Sequence, residues 1–111
     1  MPLPQIDERH RKRPLCYDPA RDKFIYFDEI VSGEEKIIPV ETLSEDELKK
    51  LVVERQRTAP DYTVQAISGP PFSRDDVIRA IEQDEPFGLV TLEAEKSYLH
   101  DLLAEIEQNL E

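Results

Sequence analysis

The chain has 111 residues, a length typical of one domain, and its 25 acidic side chains outnumber the 14 basic ones to give a formal net charge of −11. This charge opposes nonspecific attraction to nucleic acid and to anionic lipid, so we expect neither as a partner. The single cysteine excludes an intramolecular disulfide framework and a cysteine-based zinc site. No apolar run suits a signal peptide or a membrane span, and we therefore expect a cytoplasmic protein.

The N-terminal segment differs from the rest of the chain in charge and pattern. Residues 1–13 contain two prolines, show no apolar periodicity and have a net charge of +2, whereas residues 14–111 carry −13. These features predict a flexible basic arm over residues 1–13 in front of a single α+β domain over residues 14–111. The sequence leaves open whether a partner orders the arm.

The first half of the domain is predicted to form strands. Apolar-rich runs at residues 15–17 and 23–27 flank a turn that begins at Asp18, whose side chain can bond the following backbone. Residues 36–40 predict a third strand, at an edge because Pro39 has no N–H to donate. Residues 62–67 predict a fourth. We therefore expect a small antiparallel meander of three to four strands followed by helices.

Three helices are predicted after the strands. The first begins after Ser44, because a Ser cap followed three residues later by Glu47 is a capping box, and Pro60 ends it. Ser73 marks the start of the second in the same way, with Phe72 placed to pack onto its first turns. A long amphipathic helix is predicted over residues 88–110.

An apolar stripe along this C-terminal helix is the most prominent feature of the sequence. The stripe contains Leu89, Leu92, Lys96, Leu99, Leu102, Leu103, Ile106 and Leu110. Its spacing of three and four residues fits a coiled-coil register over three heptads, in which Lys96 is a polar core position that could set register. The stripe could cover the protein's own sheet or bind another chain, and the sequence leaves both alternatives open. We hypothesise that these eight residues bind a partner.

Catalytic and metal-binding patterns are weak. Cys16 would need a nearby base to act as a nucleophile, yet His10 lies on the predicted arm and His100 on the outer face of the last helix. Glu93 and Glu107 share a face with His100, but seven residues of helix separate each from it by about 10 Å, too far to share one ion within a single chain. With three glycines, a Gly-rich phosphate loop is excluded. We expect no enzymatic activity, no cofactor and no metal.

These observations favour a non-enzymatic protein-interaction module. We expect a small accessory or adaptor subunit of a cytosolic complex, which self-associates or binds a protein partner through its C-terminal helix. The alternative is an acidic inhibitor or antitoxin-like protein whose body masks a basic surface of its partner. An enzyme that uses carboxylate chemistry is the third possibility and the least supported.

Overall fold

The chain folds as a mixed helix-and-sheet protein that ends in a long helix, which confirms the predicted α+β class. The computed structural model describes residues 12–59, 63–64 and 71–110. Within these ranges the elements are β1 (Cys16–Asp18), β2 (Lys23–Ile25), α1 (Phe27–Val31), a 3-10 helix (Val40–Thr42), α2 (Glu45–Arg57), β3 (Thr63–Val64), β4 (Phe72–Ser73), α3 (Arg74–Glu82) and α4 (Pro86–Leu110).

The strands form two separate antiparallel pairs. β1 pairs with β2 in the predicted hairpin, and the Asp18 side chain accepts a hydrogen bond from the Ala20 N–H (3.0 Å) in the turn. β3 pairs with β4. The predicted meander of three to four strands is not confirmed, because each sheet of the described residues has two strands and residues 36–39 join neither. Pro39, which cannot donate to a ladder, instead precedes the 3-10 helix and accepts from the Thr42 N–H (3.1 Å).

The strand predicted through residue 27 stops at Ile25 because α1 begins at Phe27. The Tyr26 N–H donates to the Glu29 carboxylate (3.1 Å), which satisfies a backbone donor at the start of the helix. Phe27 and Ile30 are buried in the core. A local side-chain hydrogen bond thus prevails over the strand propensity of this aromatic run.

The helix α2 begins where the sequence predicts. The Ser44 hydroxyl accepts from the Glu47 N–H (3.2 Å), and the Ser44 N–H donates to the Glu47 carboxylate (2.8 Å), so the capping box is complete. The helix ends at Arg57, and Pro60, the predicted stop, lies outside the described residues. Leu51 and Val52 are fully buried on its inner face.

A tight connection brings α4 back against α3, its main packing partner. Beyond the end of α3, the Glu85 N–H donates to the Ala80 carbonyl (3.0 Å) and the Asp84 N–H donates to the Ile81 carbonyl (3.4 Å). These two bonds form a Schellman motif, in which Asp84 has the left-handed φ of 56° that this position requires. Pro86 then starts α4, where its missing N–H has no consequence.

Gly88 permits the close approach of α4 to α3. A Cβ atom placed on Gly88 would lie 2.1 Å from the Ala80 carbonyl oxygen. This obstacle is backbone rather than the end of a flexible side chain, so it cannot move aside cheaply. The core continues from this contact through α2, α4 and the β1–β2 hairpin, and its most buried side chains include those of Leu15, Ile25, Leu51, Ile81, Leu99 and Ile106.

We predict that Gly88→Ala destabilises the fold, although alanine normally improves a helix by about 1 kcal/mol relative to glycine. The added methyl group must push α4 away from α3, at a cost of about 1–3 kcal/mol. Urea unfolding measures the difference. Ser97→Ala, on an exposed position of the same helix, should change the free energy of unfolding by less than about 0.5 kcal/mol. A Gly88→Ala protein as stable as the parent would contradict the packing of this corner.

Candidate interaction surface on the terminal helix

The structure places most of the predicted stripe inside the protein. Five of its eight residues are buried in the core, namely Leu92, Leu99, Leu102, Leu103 and Ile106. Lys96 is half-buried, whereas Leu89 and Leu110, near the two ends of α4, are 43% and 45% exposed. The middle of the stripe therefore packs against α2, α3 and the 3-10 helix of its own chain.

The opposite side of α4 carries exposed apolar side chains. Val90, Ala94 and Tyr98 follow one another at intervals of four residues, so they form a line along the helix, which we call the docking face. Val90 is 67% exposed and Tyr98 is 43% exposed, and both are among the most exposed large hydrophobic side chains of the described residues. Ala94, between them, is small and exposed.

A groove runs beside the docking face. It has a volume of about 420 Å³ and is lined by Arg13, Arg55, Val90, Thr91, Ala94, Glu95 and Tyr98. One wall is α4 and the other consists of the last turns of α2 and the chain at residue 13. Concave, mostly apolar surfaces with a few fixed polar groups are typical of binding sites.

A buried ion pair supports the groove from below. Arg55, only 1% exposed, donates from Nε to the Glu95 carboxylate (2.9 Å) and from Nη1 to the Pro14 carbonyl (2.9 Å). Gln56 Nε2 also donates to Glu95 (3.1 Å). A buried guanidinium is tolerated only when it is paired and hydrogen-bonded, and here α4 and the chain at Pro14 supply the partners.

Arg13, predicted as the last residue of the flexible arm, belongs to the same cluster. Its Nε donates to the Arg55 carbonyl (2.9 Å), and its Nη2 lies 3.4 Å from the Glu95 carboxylate. The cluster therefore ties the chain at residue 13 to both α2 and α4. Residues 1–11 of the predicted arm lie outside the described residues.

Tyr98 is oriented by the same arginine. The Arg55 guanidinium lies 5.6 Å from the centre of the Tyr98 ring, a cation–π arrangement that favours one position of the ring. Because the arginine is fixed by Glu95 and Pro14, the exposed part of the tyrosine is presented from a rigid support.

Acidic residues continue the line of the docking face toward the end of α4. Asp101 and Glu105 follow Ala94 by seven and eleven residues, which places them on the same side of the helix, and both are exposed. Lys96 is the only lysine or arginine in α4 and is half-buried on the far side. The exposed line is thus apolar from Val90 to Tyr98 and acidic at Asp101 and Glu105.

His100 links α4 to the 3-10 helix. Its Nδ1 contacts the Glu41 carboxylate, and this hydrogen bond raises the pKa of His100 and lowers the pKa of Glu41. No group of three His, Cys, Asp or Glu side chains within residues 12–59, 63–64 and 71–110 is arranged to hold a metal ion. Glu93 and Glu107, which share its helix face in the sequence, line different clefts.

Cys16 is fully buried in β1, and burial raises its pKa to about 11. The side chain therefore stays a neutral thiol at physiological pH, whereas a cysteine nucleophile acts as the thiolate. Its role in this structure is to fill the core.

The structure shows a mixed helix-and-sheet fold whose terminal helix carries an exposed apolar line. Comparison with protein-family models, with curated proteins and with solved structures gave no significant match. Among the helices of the described ranges, none is both long and apolar enough to cross a lipid bilayer.

We predict that Glu95→Leu destabilises the protein by about 3 kcal/mol, because it leaves the Arg55 guanidinium buried without its carboxylate. The double variant Arg55→Met with Glu95→Leu removes both charges, so it should lose clearly less than the sum of the two single variants. Urea unfolding of the four proteins gives the coupling. Glu93→Leu, an exposed position two residues away, is the control and should have little effect. Simple additivity of the two single variants would show that the pair is not coupled.

We predict that His100 titrates above its ordinary pKa of 6.5 in the folded protein, because Glu41 favours its charged form. The resulting stabilisation is complete below the unfolded-state pKa near 6.5 and is lost as the pH rises through the higher folded-state pKa. NMR titration of the His100 ring protons measures this value. Glu41→Gln should lower the pKa markedly, and Glu93→Gln, which removes a carboxylate from the same shallow cleft, should lower it less. Equal effects of the two changes would contradict the specific contact.

Proposed function

We propose that this protein is a non-enzymatic interaction module, a small accessory or adaptor subunit of a cytosolic complex that binds a protein partner through its C-terminal helix. One observation carries the proposal: Val90, Ala94 and Tyr98 form an exposed apolar line on a helix whose other side is committed to the core. The C-terminal helix remains the proposed binding element, as in the sequence-based hypothesis. We assign the binding to Val90, Ala94 and Tyr98 instead of to the predicted leucine stripe.

We assign partner binding to the docking face and not to the leucine stripe because the side chains of the docking face are accessible in the folded protein. A partner that bound Leu99 or Ile106 would first have to separate α4 from the body, since both side chains are fully buried. The docking face needs no such opening. Leu89 and Leu110 remain accessible near the ends of the helix, but they lie on the side of the stripe, away from the docking face.

The geometry of the docking face suits the binding of a helix. Side chains at intervals of four residues form a ridge that can pack into a groove of a second helix, and Ala94 in the middle allows the two backbones to approach closely. Tyrosine is enriched among the residues that dominate interface energetics. The ring of Tyr98 is already positioned over Arg55, so binding loses less side-chain entropy than it would with a freely rotating ring.

We predict that a photoreactive phenylalanine analogue at position 98 crosslinks a discrete protein in the source cells, whereas the same analogue at position 104 does not. Both positions are exposed on α4, but Ala104 lies on a different side of the helix and lines another cleft. Adding Ala94→Glu should abolish the crosslink, because it places a charge at the centre of an apolar contact.

The matched control is Ala104→Glu, which adds the same charge to the same helix and should leave the crosslink intact. Urea unfolding of both glutamate variants confirms that each is folded. Crosslinking that occurs equally from positions 98 and 104, or that survives Ala94→Glu, would refute docking through this face.

The second candidate function, an acidic inhibitor that masks a basic surface, is favoured by the exposed acids that follow the docking face. Asp101 and Glu105 would then face the partner's cations, and binding would block the partner's own activity rather than bring it into a complex. An inhibitor of this type predicts affinity that falls steeply with salt and a measurable loss of partner activity. Salt-insensitive binding would count against it.

A further inference from the structure

We infer that the segment bound by the docking face is a basic amphipathic helix of a partner protein, with apolar side chains against Val90, Ala94 and Tyr98 and lysine or arginine side chains against Asp101 and Glu105. This inference rests on the proposed function, because it names the occupant of the same face.

The exposed side of α4 has the length of a short helix. From Val90 to Tyr98 the helix rises about 12 Å, and from Val90 to Glu105 about 23 Å. A partner helix of about four turns that lies along it would therefore meet the apolar part first and the acidic part next. Such a partner needs its own apolar stripe and a cluster of charges near one end of that stripe.

The expected charge of the partner segment depends on which acidic side chains of α4 are left without an ion pair. Glu95 is used internally, since it accepts hydrogen bonds from Arg55 and Gln56. Within the described residues, neither Asp101 nor Glu105 forms an ion pair, and both are exposed. They form the acidic end of the exposed line, and a partner cation that approached them would gain attraction at short range.

The arginines of the groove do not reverse this preference. Arg55 is 1% exposed, and its side chain is engaged with Glu95, Pro14 and the ring of Tyr98. Arg13 donates to the Arg55 carbonyl and contacts Glu95. These groups hold the groove wall together, so the charge presented along the outer line is negative.

A second copy of this chain is a poorer occupant. An antiparallel pair centred on Ala94 would bring Val90 onto the partner copy's tyrosine, but Asp101 would then face residue 87, which carries no charge. A parallel pair would place like carboxylates opposite each other. Lys96, the only lysine or arginine of α4, is half-buried on the far side of the helix, and His100 is paired with Glu41, so neither neutralises these acids in either arrangement.

Two synthetic peptides of roughly 18 residues test the inference, a length at which a helix is marginally stable before binding. Both carry leucine at positions i, i+4, i+7 and i+11, and the remaining positions are mainly lysine in one peptide and mainly glutamate in the other. Each is titrated into the full-length ¹⁵N-labelled protein. We expect the lysine peptide to shift the amide signals of residues 90–105 and to bind at least about tenfold more tightly than the glutamate peptide.

A pair of glutamate variants separates docking from general attraction to an acidic protein. Ala94→Glu and Ala104→Glu have the same net charge, so nonspecific attraction would strengthen binding of the lysine peptide in both. Docking predicts that Ala94→Glu weakens it by about tenfold or more, because the new charge lies in the apolar contact, while Ala104→Glu changes it by less than about twofold. Equal binding by the two variants would overturn the inference.

The acidic half of the line is tested by the double variant Asp101→Asn with Glu105→Gln. This variant keeps the shape of the side chains and should weaken the lysine peptide several-fold while flattening the dependence of its affinity on salt. A control in which Glu34 and Glu45, exposed residues outside α4, are changed to glutamine removes the same total charge and should have a smaller effect. Equal effects of the two double variants would overturn the assignment of Asp101 and Glu105.

The outcomes distinguish this inference from the proposed function. If the glutamate peptide binds the docking face as tightly as the lysine peptide, the inference of a basic partner helix is refuted, whereas the proposal that this face binds a partner is not. A dimer that forms with rising protein concentration and is broken by Ala94→Glu would make a second copy the occupant, with the same consequence. If the crosslink from position 98 persists but neither peptide binds, the basic helix is again wrong. Absence of both the crosslink and peptide binding would remove the docking face itself.

Discussion

The buried ion pair between Arg55 and Glu95 fixes the rotation of the terminal helix, and the two faces of that helix follow from it. A guanidinium that is 1% exposed requires a carboxylate, and only a helix turned to bring Glu95 inward provides it here. With that residue facing α2, Leu99, four residues later, is carried into the core. Ala94 and Tyr98 are left at the surface. The ion pair and the buried leucine stripe together turn this side of the helix inward and leave Val90, Ala94 and Tyr98 exposed.

The corner between α3 and α4 adds a second constraint, on position rather than rotation. The Schellman motif ends α3 at a defined residue, and Gly88 lets the following helix approach to the distance of a backbone contact. The leucine stripe can then complete the core without help from another chain. A small domain has little apolar surface in reserve, so the exposure of Val90 and Tyr98 on the opposite side is informative about binding.

The sequence predicted the elements that depend on local chemistry and missed those that depend on distant partners. The Ser44 capping box and the C-terminal helix could be located because their signals lie within a few residues. The prediction of a third strand was not confirmed. Pro39 has no N–H to donate to a sheet ladder, and it precedes a 3-10 helix. Arg55 is a cation in the last turn of α2, and nothing near it in the sequence indicates its burial, which depends on Glu95, forty residues away. The four-residue spacing of Val90, Ala94 and Tyr98 can be read from the sequence. The exposure of these side chains cannot, because it depends on which side of α4 packs against the core.

The fold determines which of the many acidic side chains can interact with a partner. A net charge of −11 describes the whole chain, yet at physiological ionic strength charges act over about 8 Å, so a bound segment responds mainly to the acids beside it. Some of these acids are used within the structure, as Glu95 is by Arg55 and Glu41 is by His100. Asp101, one helical turn beyond Tyr98, is not used in this way, and it lies within that range of the docking face. The specificity we propose therefore depends on where a few carboxylates are left unpaired on one helix, and total charge would select no particular partner.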